Sequence, residues 1–264
     1  MKMSGNNTVS RRKFIAGAGF MALGTIAAQF SSILSNAEAK TAPIEKWPWP
    51  YVKLDPAQTA ELAYNEWYRV FCGAAVISSV FSQLREKVGE PYKSFPIDSF
   101  LFLEGGVTGW GTICGAPMGA NIVSNMIIGP RIAGSEDGAL MGSEMLDWYA
   151  NAEMPIFTPR NPRIKTVLLK TVSDSPLCHI SVGKWMKAAD KDLKSAERKD
   201  RCARVAASTA YHVVELLNSW RDGKYETHGT VPSANYGITA QSNCTECHGS
   251  NIPTPPIAKL TGKI

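Results

Sequence analysis

Residues 196–220, AERKDRCARVAASTAYHVVELLNSW, decide the fold class. Cys202, Val205, Ala206, Thr209, Val213, Leu216, Leu217 and Trp220 recur at helical spacing and share one apolar face. Arg198, Arg201 and Arg204 lie in the early part of the stretch, Cys202 points inward, and Gly223 ends the helical region. His212 borders the stripe, a position more typical of a satisfied, partly buried histidine than of a metal ligand. An amphipathic helix of this kind needs other helices to cover its apolar face.

Working outward, Asp55-Pro56 caps and opens a helical stretch to about residue 88, with proline in the first turn where its missing N–H costs little. Cys72 lies inside it, in Phe71-Cys72-Gly73-Ala74-Ala75, where small side chains allow close approach. Residues 105–116 are a Gly-rich turn feeding a helix to about residue 128; no Gly-Lys-Ser/Thr follows, so this is not a P-loop. Cys114 stands at or near the start of that helix, where partial positive charge is expected to lower its pKa and favour the thiolate. Residues 135–152 form another amphipathic helix, with Met141 and Met145 as core filler. Residues 165–170 are expected as a lone strand. The chain is therefore mainly α: a single helical domain with Gly-rich loops, a Pro-rich N-terminal linker and an irregular C-terminal tail. The expected divisions are a signal at 1–39, a linker at 40–56, a four-cysteine helical domain at 57–222 and a tail at 223–264. The linker carries Trp47-Pro48-Trp49-Pro50, and its tryptophans are expected to pack across the domain surface.

The tail contains Cys244-Thr245-Glu246-Cys247-His248, the Cys-x-x-Cys-His pattern of c-type haem attachment. The two thiols would form thioethers to the porphyrin vinyl groups, and the imidazole of His248 would bind iron from the proximal side. A redox dithiol or half of a zinc site shares part of this pattern. Zinc would need a second close pair of ligands, and the sequence has no second Cys-x-x-Cys. Of the chain's four histidines, His228 is the first candidate for a sixth ligand, in its own chain or on a second subunit; His179 and His212 follow. Ser175-Pro176-Leu177-Cys178-His179 looks like a haem motif lacking its first cysteine, and Cys178 there is better read as a cluster or disulfide partner.

At the other end, Ser10-Arg11-Arg12-Lys13-Phe14-Ile15 opens a twin-arginine signal, followed by an apolar run to about residue 30 and Ala37-Glu38-Ala39 as a cleavage site. The expected location is the periplasm, with no stable membrane insertion after signal removal. The signal holds four of the 28 basic residues and one of the 23 acidic ones, so the remainder is close to neutral. Nothing marks a nucleic-acid footprint. Twin-arginine export carries folded proteins, often with a cofactor inserted beforehand. That bears on Cys72, Cys114, Cys178 and Cys202, which form either two structural disulfides, ordinary in an exported protein, or the four ligands of an iron–sulfur cluster.

The order Cys72, then Cys114-Gly115-Ala116-Pro117-Met118-Gly119, then Cys178, then Cys202 resembles the family named for its C…GCAxxG…C…C pattern. Here Cys-Gly-Ala stands where the pattern has Gly-Cys-Ala. With the stretches 109–120, 175–185 and 195–218 and the C-terminal haem motif, the chain resembles the split-Soret cytochrome c group within that family. The resemblance implies a periplasmic, helical, dimeric electron-transfer protein. It further implies haems close together at the dimer interface, bis-His ligation partly across subunits, and a cluster held by the separated cysteines. The group implies two haems per chain, whereas this sequence carries one complete motif.

The resulting expectation is an exported c-type cytochrome, a homodimer that passes electrons between redox protein partners. It would carry haem c and an iron–sulfur cluster of [2Fe–2S] or similar type. The rival expectations are a periplasmic oxidoreductase whose haem feeds a cysteine redox site, and a haem sensor or binding module with structural disulfides. With two histidine ligands on the iron, electron carriage is favoured over substrate chemistry.

Overall fold

The computed structural model describes residues 46–228; the signal, the start of the linker and the Cys244–His248 haem motif lie outside the described residues. Six α-helices occur in the order α1 (Pro56–Val70), α2 (Cys72–Lys87), α3 (Gly115–Ile128), α4 (Asp137–Asn151), α5 (Cys178–Ala189) and α6 (Ala196–Arg221). Two 3-10 turns, Ile97–Phe100 and Arg131–Ala133, punctuate the connections. Among the described residues there are no strands, only two isolated bridges, Ile113 with Leu177 and Met154 with Thr171. The expected strand over 165–170 is therefore absent: Val167 is almost fully exposed and nothing pairs alongside it. The mainly α expectation holds. No described helix is long and apolar enough to cross a membrane.

Helix α2 is the centre of the packing. It lies against α1, α3 and α6, and an unbroken run from Cys72 to Phe81 is buried. Burial on all sides explains why its residues are small or apolar around the whole circumference. Its neighbour α6 covers α1, α2 and α3, and the apolar face expected from sequence is buried at Cys202, Val205, Ala206, Thr209, Val213 and Leu217, with Leu216 and Trp220 half-buried. Helices α1 and α6 start at side-chain caps: Asp55 Oδ1 accepts from the Gln58 N–H at 3.0 Å, and Ser195 Oγ from the Arg198 N–H at 3.2 Å. Met141 and Met145 on α4 are fully buried core residues, as expected.

The helical stretch expected from residue 55 to 88 is not one helix. It breaks at Phe71, whose φ of 59° and ψ of −166° lie outside the helical region. The Phe71 N–H still closes α1 on the Trp67 carbonyl, and the Gly73 N–H turns to the Leu103 carbonyl at 3.1 Å. A positive φ at an aromatic residue is sparsely populated and persists only where tertiary contacts over-determine it. The break makes Cys72 the first residue of a new helix.

Residues 46–55, expected as a linker, are drawn into the fold. Trp49 is buried edge-on to Tyr92 with ring centroids 5.3 Å apart, and its backbone N–H donates to the Ile127 carbonyl at 2.8 Å. Asn218 of α6 clamps the strap: it accepts from the Tyr51 hydroxyl at 2.9 Å and donates to the Leu54 carbonyl at 2.8 Å. Trp49 is thus a core residue rather than a surface cover, because the Pro-rich chain has no helix of its own and satisfies its backbone on α3 and α6.

Candidate redox centre

Helix starts set the geometry of the site. Cys72 is the first residue of α2, Cys114 caps α3, and Cys178 is the first residue of α5. Cys202 comes from the second turn of α6, on its buried face. The four cysteines, spread from residue 72 to residue 202, are free thiols gathered in one region: Cys72 interacts with Cys114 and Cys202, and the Cys114 and Cys178 side chains are hydrogen-bonded to each other.

Backbone contacts hold them there. The Gly-rich loop and the segment before α5 run antiparallel, with Cys114 N–H on the Pro176 carbonyl at 2.8 Å and Cys178 N–H on the Thr112 carbonyl at 2.7 Å. The glycines following Cys72 and Cys114 let α2 and α3 meet backbone to backbone. A Cβ at Gly115 would stand 2.0 Å from the Leu103 carbonyl oxygen and 2.9 Å from Cys72 Cβ. One at Gly73 would stand 2.7 Å from the Gly115 oxygen. No side chain larger than hydrogen fits either place.

The chemistry around the sulfurs is donor-rich. Trp67 Nε1–H points at Cys72 Sγ, 3.4 Å away, and the Gly105 N–H also serves Cys72. The Ala116 N–H and the Tyr149 hydroxyl serve Cys114, and an Arg198 nitrogen lies 4.0 Å from Cys202 Sγ. Arg201 is fully buried beside Cys202, with one terminal nitrogen donating to Ser181 Oγ at 2.8 Å and its Nε without a partner. Burial alone would depress its pKa, but Tyr149 and the Cys202 and Cys114 sulfurs outweigh that and raise it. A buried guanidinium with an orphaned N–H is a standing demand for negative charge nearby.

Two of the thiols, Cys72 and Cys114, are held neutral when nothing is bound. Burial, reinforced by Cys114 and Cys202, pushes Cys72 up to about 12. The hydrogen bond with Cys178, then burial, raises Cys114 well above an ordinary thiol. The helix-start effect expected to lower the Cys114 pKa is therefore overridden, because desolvation and a neighbouring thiol outweigh a partial charge. Among the described residues no three His, Cys, Asp or Glu side chains are close enough to hold a single metal ion.

A cavity of about 820 Å³ opens directly onto three of the four cysteines, Cys72, Cys178 and Cys202. His179 is exposed on its wall. The other two described histidines, His212 and His228, lie elsewhere. His212 stacks on Trp148 with ring centroids 4.3 Å apart, and burial lowers its pKa against the pull of Glu215. His228 is exposed, its Nδ1 3.5 Å from Glu144 Oε1. Sequence reasoning noted Arg201 only as one of three arginines on α6 and did not single out Trp67 or Tyr149. Adjacency of Arg201 to Cys202 on an apolar face was the available signal.

The same residues carry the comparisons with known proteins. Residues 71–216 match the family model described as "Putative redox-active protein (C_GCAxxG_C_C)". Over 252 residues the chain is 32% identical to the split-Soret cytochrome c of Desulfovibrio desulfuricans, covering 91% of this chain and 87% of that protein. A solved structure described as "A novel iron centre in the split-Soret cytochrome c from Desulfovibrio desulfuricans ATCC 27774" superposes with a TM-score of 0.65 at 31% identity. The superposition covers 82% of this chain and 87% of that one. The chain belongs to the split-Soret cytochrome c group of the C_GCAxxG_C_C family.

Proposed function

We propose that this protein is an exported c-type cytochrome that transfers electrons between redox protein partners and carries an iron–sulfur cluster as a second centre. The carrying observation is the convergence of four cysteines remote in sequence, three of them at helix starts, beside a buried guanidinium with an unpartnered N–H. That donor set fits a cluster: four thiols, N–H groups directed at the sulfurs, and helix N-termini that favour negative charge. The relative whose structure is described as holding a novel iron centre supports the same assignment.

In this reading Cys72, Cys114, Cys178 and Cys202 hold a [2Fe–2S] or similar cluster, which supplies one-electron storage. Cys244 and Cys247 anchor haem c, His248 ligates its iron, and His228 completes the sphere within the chain or across a homodimer. One complete motif corresponds to one haem per chain. Export follows the twin-arginine route to the periplasm after cluster insertion. Inserting iron must displace thiol protons, and Trp67, Gly105 and Ala116 would then stabilise the sulfur charge through their N–H groups.

The test is the ratio of total iron to haemochrome haem on the anaerobically purified protein, with Cys244→Ser/Cys247→Ser beside it. About two irons in excess of haem per chain are expected, and the variant should lose all haemochrome while keeping the excess. One iron per haem would remove the cluster; absence of haemochrome from the native chain would remove the cytochrome. A second reading, an oxidoreductase with a cysteine redox site, is favoured by one observation, the cavity opening on three of the cysteines.

A further inference from the structure

The cavity of about 820 Å³ reaches beyond Cys72, Cys178 and Cys202, the residues that would hold the cluster, to Arg163, Met186, Leu193 and Lys199. Its apolar lining is Trp67, Phe71, Ile164, Val182, Met186 and Leu193, with Phe71 and Leu193 at the exposed side. Its charged rim is mostly basic, with Arg163, Arg198 and Lys199 against a single acid, Glu104. Arg163 and Lys199 make no ion pair among the described residues. The Arg163 guanidinium is nevertheless not loose: it lies 3.4 Å from the Tyr68 ring centroid, a cation–π contact that fixes its direction without neutralising it. Arg198 is turned inward, to the Leu193 carbonyl and Cys202 Sγ.

Gly183 is the second observation. It lines the cavity from the interior of α5, where glycine weakens a helix. Gly73, Gly115 and Gly119 are required by backbone contacts, but a Cβ at Gly183 would meet nothing within 4 Å. Neither packing nor a positive φ calls for glycine there. What glycine does at that position is leave the cavity wide.

We propose that this cavity is a binding site for an amphipathic organic anion, its apolar body between α1 and α5 and its anionic head between Arg163 and Lys199. An apolar pocket with few convergent polar groups is the ordinary form of a small-molecule site. The basic rim selects the sign of the head, and the size of the cavity admits a body larger than an inorganic oxyanion. The inference rests on the proposed function to this extent: a cluster on Cys72, Cys178 and Cys202 would occupy part of the same cavity.

The probe is 1-anilinonaphthalene-8-sulfonate, titrated calorimetrically into the full, cofactor-loaded protein, since haem would quench its fluorescence. One saturable site per chain is expected. Arg163→Gln with Lys199→Gln should weaken it about tenfold or more, and Gly183→Phe should abolish it. Arg160→Gln, a change at an exposed arginine outside the cavity, should leave it unaltered. Should the Phe variant melt early, Gly183→Met blocks the same space with a slimmer chain and is expected to weaken binding likewise. Absence of saturable heat, or binding indifferent to both Gly183 variants, overturns the site. Binding blocked at Gly183 but untouched by the charge variants overturns the anion assignment.

Discussion

Cys72 shows how one residue is tuned by its surroundings. Its thiol is pushed up to about 12 by burial and by the Cys114 and Cys202 sulfurs, whereas an unfolded cysteine titrates near about 8.5. Between those values the folded iron-free chain keeps a proton that the unfolded chain has lost. The corresponding stability is complete below about pH 8.5 and falls as pH rises toward about 12. The melting temperature of the iron-free protein should therefore decline through this window, and Cys72→Ser should flatten the decline. Trp67 is the matching residue for the loaded state. If Cys72 holds the proposed cluster, the Trp67 N–H to Cys72 Sγ would stabilise the more electron-rich reduced form. Trp67→Phe should lower the cluster potential by about 20–60 mV, the scale of one hydrogen bond, in a redox titration. An unchanged potential would mean that the indole serves packing alone.

Among the elements, α2 and α3 depend on each other through glycine. Gly115→Ala drives a methyl group into the Leu103 carbonyl, and no flexible side chain is there to yield. It should cost about 3 kcal/mol or more in denaturant unfolding and expel iron with it. Gly183→Ala, on α5, meets open space and should instead raise stability by about 0.5–1 kcal/mol. If both behave alike, the close approach of α2 and α3 is not what positions the cysteines. The helix count was only partly legible beforehand. Helix α6 could be read from its apolar period, and α3 from its Gly-rich approach. The break at Phe71 could not, since the apolar spacing continues through it and the cause is a carbonyl from Leu103, distant in sequence. The failed strand at 165–170 has a similar origin: a short apolar run alone cannot say whether a partner strand exists.

At the scale of the whole molecule, α6 is joined to α1 by a buried polar knot. Asp200 accepts from the Tyr68 hydroxyl at 2.8 Å and Arg204 Nε at 2.7 Å, and Tyr64 also donates to it. Arg204 then reaches the Ile164 carbonyl at the edge of the cavity wall. Asp200→Ala leaves a buried guanidinium without its counter-ion and should destabilise the protein by about 3–5 kcal/mol in equilibrium unfolding. A loss below about 1 kcal/mol would show that water reaches the pair. Residue types and local spacing alone determined the helical class and the α6 face, and they alone carry the haem-motif and export-signal readings. These depend on period and short-range chemistry, which a sequence carries directly. The identity of the four cysteines as possible ligands was also visible, but not their meeting, nor the choice between disulfides and a shared site. Only the tertiary structure decided that three helices begin at one place, that Arg201 is buried there, and that a cavity faces the thiols. Those facts are set by backbone contacts between segments far apart in the chain, and no local pattern encodes which distant carbonyl a helix start will find.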